Sequence, residues 1–226
     1  MHHDANHLPA GFRALLGDRR WAALVGSGVR RNHRAGEYLL RQNDRGGHLF
    51  ALISGRVKVL AGLDGSQVLL SLRGAGDLVG EMAARGNSRR MASVQALDAC
   101  TSCVLKRAEF DRFLHDHGAH GLLSDYLVGK LSETVPYQVQ QFHFGPLQRV
   151  ARLCFEVHSL ADARQPDRAR IPFSQEALAQ ALGMARSTVA EQIAVLRSSG
   201  ALGPGPRLVV DDERALAAQA GAVPPS

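Results

Sequence analysis

The sequence predicts an α+β fold: a strand-rich N-terminal sandwich or barrel, a long helix, and a C-terminal winged helix-turn-helix. From about residue 29 to residue 105, short apolar runs alternate with turn residues, a pattern typical of antiparallel sheets. Apolar residues then return to steps of three and four, the spacing of helices. A helix, a glycine turn, a second helix and a hairpin occupy residues 173–210. These observations predict three regions, 1–118, 119–144 and 145–226.

Composition and charge exclude some classes of protein. The chain has 226 residues, 45% of them hydrophobic and 21% charged, which is ordinary for a globular protein. No apolar run approaches the ~18 residues of a membrane span, and Met1–Asp4 lacks the basic and apolar regions of a signal peptide. We therefore expect a cytoplasmic protein with no membrane partner. The net charge of +6 favours a nucleic-acid partner only weakly, because residues from Pro146 onward hold nine arginines against eight acidic residues.

Local patterns locate the elements of the N-terminal region. Apolar residues between positions 8 and 25 predict one or two short helices. Strands are predicted at Leu49–Ile53, Val57–Ala61 and Val68–Leu72. Asp64-Gly65 predicts a tight hairpin turn between the last two strands.

The three cysteines predict buried, unreactive thiols. Cys100 and Cys103 have the spacing of a metal-binding pair, but they lie in Ala99–Leu105, which is predicted to be a strand. Residues three apart in a strand point to opposite faces, so the two thiols could not hold one ion. With Cys154 as the third cysteine, a disulfide framework is not expected either.

A long helix is predicted after residue 119. Its apolar stripe has two interpretations, packing on its own domain or a dimer interface. Pro136 removes a helical hydrogen bond, so we expect a bend there, and Gly145-Pro146 is expected to be a hinge before a further helix, Leu147–Leu160. The members of the stripe are Leu122, Leu123, Tyr126, Leu127, Leu131 and Val135.

The most informative segment is the predicted helix-turn-helix. Ser174 can cap a helix over Gln175–Leu182, and Gly183 ends it. A second helix is predicted over Arg186–Leu196, and a hairpin over Ala201–Val210 forms the wing. In this arrangement the first turns of the second helix enter the major groove of DNA.

Polar side chains of this second helix are the candidate base readers. Arg186 can make two parallel hydrogen bonds to guanine and Glu191 can accept one from cytosine. The alternatives are a phosphate contact for Arg186 and a solvated or ion-paired side chain for Glu191. Ala185 stands at the N-cap position and forgoes about 1 kcal/mol of capping. The candidate DNA-binding residues are Ser174, Gln175, Arg186, Ser187, Thr188, Glu191, Gln192 and Arg207.

The order of these regions, together with three motifs, resembles the cyclic AMP receptor protein/Fnr (Crp/Fnr) family of transcription regulators, from about Val29 to Ala220. The motifs are GDLVGEM at Gly76–Met82, RMASVQA at Arg90–Ala96 and MARSTV at Met184–Val189. The resemblance implies an N-terminal β-roll of the cyclic-nucleotide-binding type (a double-stranded β-helix, or jelly roll), a dimerisation helix, and a C-terminal winged helix-turn-helix.

In relatives that bind cyclic nucleotides, the first two motifs form a phosphate-binding cassette. The resemblance implies that Glu81 binds a ribose hydroxyl, that Arg90 binds the cyclic phosphate, and that Thr134 meets the base. Met91 stands where the family has Ser or Thr, and losing that hydrogen bond to a charged group costs about 1.5–3 kcal/mol. The implied ligand-binding residues are Gly80, Glu81, Met82, Ala83, Arg90, Met91 and Thr134.

Two interpretations of this pocket stay open. Either it binds a cyclic nucleotide, with cyclic AMP as the candidate effector, or it is a vestigial or repurposed cavity that takes another ligand or none. A structural ion pair between Glu81 and Arg90 is the alternative to a ligand-binding role for both. No cofactor is required in either case.

Metal-dependent relatives have features that this sequence lacks. Oxygen sensors with an iron–sulfur cluster need N-terminal cysteines, and no cysteine precedes Cys100. Haem sensors use a histidine ligand, whereas His115, His117 and His120 are expected to be solvated in a charged loop. We therefore predict no metal site.

The resemblance implies a homodimer whose two recognition helices read a near-palindromic site in double-stranded DNA. An effector in the roll would shift the long helix and the hinge, and RNA polymerase would be a partner. The alternative is a constitutive DNA-binding protein whose roll is a dimerisation scaffold. An enzyme is not expected, because we find no nucleophile–base constellation, no metal-ligand spacing and no glycine-rich loop of the NTPase kind.

Overall fold

The computed structural model describes residues 11–62, 67–86, 89–162, 165 and 167–222, without the side chains of residues 85, 86 and 133–142. The turn predicted at Asp64-Gly65 and the side chain of Thr134 therefore lie outside the described residues.

Two short helices precede the strands, as the apolar spacing of residues 8–25 predicts. The elements of the N-terminal region are α1 (Phe12–Leu16), α2 (Asp18–Gly26), β1 (Val29–His33), β2 (Tyr38–Leu40), β3 (His48–Ser54), β4 (Val57–Ala61), β5 (Val68–Arg73), β6 (Leu78–Val79), α3 (Glu81–Gly86), β7 (Ser93–Ala96), β8 (Cys100–Lys106) and α4 (Arg107–Asp116).

The strands form two four-stranded sheets, and the predicted β-roll is confirmed. One sheet has the order β1-β8-β3-β6 and the other the order β2-β7-β4-β5. β4 and β5 pair in antiparallel register, with Val57 opposite Arg73 and Ala61 opposite Val68, as the hairpin spacing predicts. Apolar side chains such as Leu49, Leu52 and Leu78 are buried in the cores of the roll.

The cysteines are buried as predicted. Cys103 belongs to the core cluster that contains Leu105, whereas Cys100 belongs to a different cluster with Leu52, so the two thiols do lie on opposite faces of β8. Burial raises the pKa of Cys100 to about 12 and the pKa of Cys154 to about 12. Since the thiolate is the reactive form, these groups are unreactive at neutral pH.

The C-terminal elements begin with the long helix, which continues beyond Pro136. They are α5 (His120–His143), α6 (Pro146–Ser159), β9 (Arg170–Ile171), α7 (Gln175–Leu182), α8 (Arg186–Ser198), β10 (Leu208–Val209) and α9 (Glu213–Ala220). Gly145 is the N-cap of α6 and Pro146 its first residue, a position where proline costs no hydrogen bond. The bend expected at Pro136 stays a prediction.

The apolar stripe of α5 has two different surroundings. Leu123 and Tyr126 are buried against the roll, so for them packing on their own domain is confirmed. Leu131 is 62% exposed and Val128 is 61% exposed. These two side chains leave an apolar surface on α5 that the roll does not cover.

His115 and His120 are exposed, as predicted, but they lie at helix ends, and the predicted loop is reduced to residues 117–119. His115 lies in the last turn of α4, and His120 begins α5. The His117 ring stacks on Phe113 with 4.1 Å between centroids, and its Nδ1 lies 2.9 Å from the Phe113 carbonyl oxygen. The helices extend to within three residues of each other, so they hold histidines that composition alone assigned to a loop.

Within the described ranges, no cluster of three or more His, Cys, Asp or Glu side chains is placed to hold a metal ion. In the same part of the chain, no helix combines the length and the apolar character needed to cross a bilayer.

Candidate ligand pocket and nucleic-acid interface

The first helix of the helix-turn-helix begins and ends where the sequence predicts. The Ser174 side-chain oxygen accepts a hydrogen bond from the Ala177 backbone N–H at 3.0 Å, which satisfies one of the free N–H groups of the first turn. Gly183 adopts the left-handed conformation, with φ of 60°, and its N–H bonds back to the last turn of α7. Leu178 and Leu182 are buried on the inner face of α7.

The second helix, α8, has one buried and one exposed face. Val189, Ile193 and Leu196 are fully buried, so packing fixes the rotation of the helix about its axis. Ala185 is the N-cap residue and, as an alanine, has no side-chain acceptor for the free N–H groups that follow it.

The exposed face of α8 holds most of the predicted base readers. Arg186, Ser187 and Glu191 are exposed, and Thr188 and Gln192 are partly exposed. The first turns of α8 therefore present polar groups to solvent from a helix whose other side is core. This is the arrangement that a recognition helix needs.

An acidic neighbour of Arg186 was missed by the sequence reasoning. The Arg186 Nε lies 3.8 Å from the Glu176 Oε2, and both side chains are more than 70% exposed. Such a surface pair contributes little stability. Glu176 stands one residue after Gln175 in α7, and nothing in the local sequence pattern indicates that it approaches the next helix.

The wing contains the predicted hairpin and has one further strand. Leu202 pairs with Val210 in an antiparallel bridge, and the Gly203 N–H donates to the Val209 carbonyl at 2.9 Å. β10 also pairs with β9, which lies before the helix-turn-helix. Arg207 is exposed next to β10. The pairing of β10 with β9 was not predicted, because 36 residues separate Ile171 from Leu208 and two helices intervene.

The candidate ligand pocket begins at Gly80, where only glycine fits. Its φ is +84°, and a Cβ at this position would lie 2.7 Å from the Leu40 side chain and 2.8 Å from the Arg90 Nη1. The residue that follows opens α3, so Gly80 allows β6 to turn into the helix that carries Glu81 and Ala83.

Arg90 is held by the backbone of the roll. Its side chain donates hydrogen bonds from Nη1 to the Gly80 carbonyl at 2.7 Å and from Nη2 to the His48 carbonyl at 2.6 Å. Its Nε is buried and has no hydrogen-bond partner among the described residues. Burial lowers the pKa of this guanidinium, and the charges of Asp44 and Glu81 oppose that effect.

Glu81 pairs with the long helix, and the ion pair between Glu81 and Arg90, the alternative to a ligand-binding role, is not found among the described residues. The Lys130 Nζ lies 2.8 Å from the Glu81 Oε1 and also donates to the Leu78 carbonyl at 2.8 Å. Lys130 is four residues after Tyr126, whose hydroxyl donates to Asp77 and accepts from the Leu78 N–H. Two successive turns of α5 are therefore attached to the segment 77–81.

The candidate pocket lacks side-chain hydrogen-bond donors at two of the implied positions. Met82 is 45% exposed and Met91 is 59% exposed, and a thioether cannot donate a hydrogen bond. The structure brings together Gly80, Glu81, Ala83 and Arg90, and it adds Lys130. Local sequence patterns could not indicate Lys130, since it lies 49 residues from Glu81.

Two family models match the chain. The model described as "Cyclic nucleotide-binding domain" matches residues 30–117, and the model described as "Crp-like helix-turn-helix domain" matches residues 148–219.

Solved structures share the fold over most of the chain. A transcriptional regulator of the CRP family from Thermus thermophilus is 24% identical, with a TM-score of 0.69, over 86% of this chain and 98% of that one. The c-di-GMP responsive global regulator CLP from Xanthomonas campestris is 19% identical, with a TM-score of 0.67, over 86% and 99%. FixK2 from Bradyrhizobium japonicum is 18% identical, with a TM-score of 0.68, over 88% and 99%. At these identities the likeness shows the fold.

A curated relative matches part of the chain. The chain is 33% identical over 84 residues to cGMP-dependent protein kinase 2 from Homo sapiens, a match that covers 37% of this chain and 10% of the kinase. The chain thus spans about a tenth of the length of the curated relatives that it matches.

Proposed function

Because the chain belongs to the Crp/Fnr family of transcription regulators, we propose that it acts as a homodimer that reads near-palindromic DNA with α8 and is gated by a cyclic nucleotide in the roll. As a member of this family it is a DNA-binding regulator and not an enzyme. The observation that carries the proposal is the pair of attachments from α5 to the pocket segment, through Tyr126 and Lys130. They connect the pocket directly to the helix that leads to the DNA-reading unit.

The proposed DNA-binding residues are Ser174, Gln175, Arg186, Ser187, Thr188, Glu191, Gln192 and Arg207. Arg186 is the proposed base reader because it is exposed in the first turn of α8. Ser174 contributes indirectly, because its side chain caps α7 and so fixes where this helix begins. The cytoplasm is the proposed location, and RNA polymerase the proposed partner.

Gating follows from competition for Glu81. A ribose hydroxyl that donates to the Glu81 carboxylate competes with the Lys130 ammonium, which would then be held to the roll through the Leu78 carbonyl, so this turn of α5 is attached less strongly. A ligand that makes this exchange binds the two positions of α5 with different affinity, which is the requirement for allosteric control. The buried Arg90 Nε is the donor left for a phosphate.

A second candidate function is a DNA-binding regulator whose roll takes no cyclic nucleotide. Two observations favour it: Glu81 already has a cationic partner in Lys130, and Met91 offers no donor where the family has a hydroxyl. In this case the Glu81–Lys130 pair is a permanent link between the roll and α5.

Calorimetric titration of the nucleotide-free protein distinguishes the two candidates. The ligands are cyclic AMP, cyclic GMP and, because the Xanthomonas regulator is described as c-di-GMP responsive, cyclic di-GMP. The proposal predicts saturable binding of one of them, lost in Arg90→Ala and accompanied by a change in DNA affinity. Absence of heat at millimolar concentration of all three ligands would favour the second candidate.

A further inference from the structure

A buried arginine of the roll makes contacts that cross to the DNA-reading unit. Arg56 follows the turn between β3 and β4 and is 1% exposed. Within the roll, the Arg56 Nε lies 2.7 Å from the Asp98 Oδ2, and the Arg56 backbone N–H donates to the Asp98 Oδ1 at 2.9 Å. Asp98 therefore holds the guanidinium at the surface of the roll in one orientation.

The two remaining nitrogens of this guanidinium bond to the C-terminal region. Nη1 donates to the Val157 carbonyl in α6 at 2.8 Å, and Nη2 donates to the Arg170 carbonyl in β9 at 3.2 Å. We name these two bonds the docking contact. Val157 is in the last turn of α6, which ends at Ser159, where helix carbonyls lack partners and the helix dipole is negative. A buried cation there is stabilised by both effects.

Apolar packing surrounds the docking contact. Four leucines of the roll belong to the same core cluster as Val150, Leu178 and Ile193 of the C-terminal region. A Cβ on Gly74 of the roll would lie 3.2 Å from the Leu160 carbonyl oxygen, so the two backbones approach closely. The four leucines are Leu60, Leu69, Leu72 and Leu97.

Further polar side chains lie between the roll and the C-terminal region. The Gln165 Nε2 donates to the Asp98 Oδ2 at 2.9 Å. The Lys58 Nζ lies 5.7 Å from the centre of the Phe173 ring, one residue before the cap of α7. Burial raises the pKa of Glu156 in α6, while the charges of Arg152 and of Arg73 in β5 oppose that effect.

We propose that Arg56 is a positioning residue for DNA binding: it fixes the DNA-reading unit against the roll and thereby sets the distance between the recognition helices of a dimer. The reading face of α8 is exposed in the docked arrangement, so docking is compatible with DNA binding. The inference rests on the proposed homodimer. A DNA-reading unit joined to α5 only through Gly145 would sample many orientations relative to the roll. A docked unit holds one orientation, so the dimer accepts one spacing between half-sites.

The test measures DNA affinity as a function of half-site spacing. The DNA is the site that the wild-type protein selects from random sequence, together with versions lengthened by one and two base pairs at the centre. Each added pair moves a half-site by about 3.4 Å and turns it by about 34°. We expect the wild type to lose about tenfold in affinity per added pair, and Arg56→Ala to bind the original site more weakly but lose less than about threefold on lengthening.

A matched control is Arg89→Ala, which removes a guanidinium bond to the Asn43 carbonyl that stays within the roll. It should keep the spacing dependence of the wild type. Should Arg56→Ala fail to fold, Leu160→Ala removes apolar packing between the C-terminal region and the roll. This variant should also lose less affinity than the wild type when the half-site spacing is lengthened. An unchanged spacing dependence in the folded variants overturns the proposal.

Amide hydrogen exchange of the DNA-free protein separates this proposal from the proposed function. If Arg56 docks the unit, Arg56→Ala raises exchange at the end of α6 and in β9, with little change in β3 and β8. If the wild type binds no DNA but Arg56→Ala still raises exchange at α6 and β9, the proposed function fails and docking stands. If exchange at α6 and β9 is unchanged, docking fails whatever the DNA result.

Discussion

At the residue scale, the Glu81–Lys130 pair is a buried ion pair that joins the roll to α5. Glu81 is 1% exposed and Lys130 12% exposed at the side chain, so both charges have left bulk water. Removing one partner of a buried pair leaves an uncompensated charge, whereas removing both can be close to neutral.

We expect Lys130→Met to lower the free energy of unfolding by about 3–5 kcal/mol, and Lys130→Met with Glu81→Gln to recover most of that loss. Urea unfolding measures both values. The control is Lys106→Met, because Lys106 is 80% exposed and lies 3.7 Å from Glu109; it should change stability by less than about 1 kcal/mol. Equal effects of Lys130→Met and Lys106→Met would show that the pocket pair is hydrated and weak.

A second residue-scale consequence concerns His33, which is buried with its Nε2 2.8 Å from the Ser102 Oγ. Burial lowers the pKa of His33 below its ordinary value of 6.5, and the hydrogen bond and charge of Glu37 oppose this. The unfolded chain therefore takes up the proton first as the pH falls. The stability that neutral His33 contributes is fully present above pH 6.5 and is lost as the pH falls through the lowered pKa.

His33→Gln keeps a hydrogen-bonding side chain but cannot titrate. We expect the wild type to lose more stability than His33→Gln between pH 7 and pH 5, measured by urea unfolding at each pH. Parallel pH profiles for the two proteins would mean that His33 does not contribute to the acid sensitivity.

At the element scale, the helix-turn-helix has one capped and one uncapped helix. Ser174 caps α7 through its side chain, and Ala185 begins α8 without a side-chain acceptor. Both helices bury leucine, isoleucine or valine along one face, so tertiary packing compensates for the missing cap.

Substitutions at the two N-cap positions should change the stability of the DNA-reading unit in opposite directions. Ser174→Ala should lower the free energy of unfolding of the DNA-reading unit by about 1 kcal/mol, and Ala185→Ser should raise it by a similar amount. Thermal unfolding measures both. If Ala185→Ser were neutral, the first turn of α8 would have its N–H groups satisfied by other means.

At the scale of the whole molecule, local signals were predictable from sequence and long-range contacts were not. The ends of α7 and the start of α8 could be read from Ser174, Gly183 and the apolar spacing, because caps and turns act within a few residues. The Glu81–Lys130 pair and the Arg56–Val157 bond join residues 49 and 101 apart. Such pairings depend on how the roll, α5 and α6 pack, which periodicity does not specify.

The wing shows the same limit at shorter range. The sequence predicted a hairpin over residues 201–210, because apolar residues flank a glycine- and proline-rich turn. In the structure Leu202 pairs with Val210 within that hairpin, but β10 also pairs with β9, a strand from outside the predicted motif. The resemblance to a family implied that Arg90 binds the cyclic phosphate, but it could not show that the guanidinium bonds to two backbone carbonyls.

Selection of binding sites from random DNA with the wild type and with Arg186→Ala tests whether α8 of a homodimer reads DNA. We expect an inverted repeat with half-site centres about one helical turn, or a multiple of it, apart. Arg186→Ala should bind that site about 1–3 kcal/mol more weakly and lose preference at one base pair of each half-site. Absence of any enriched sequence, or a site without two-fold symmetry, would contradict the claim. Equal weakening by Arg186→Ala on all sequences would make Arg186 a phosphate contact instead of a base reader.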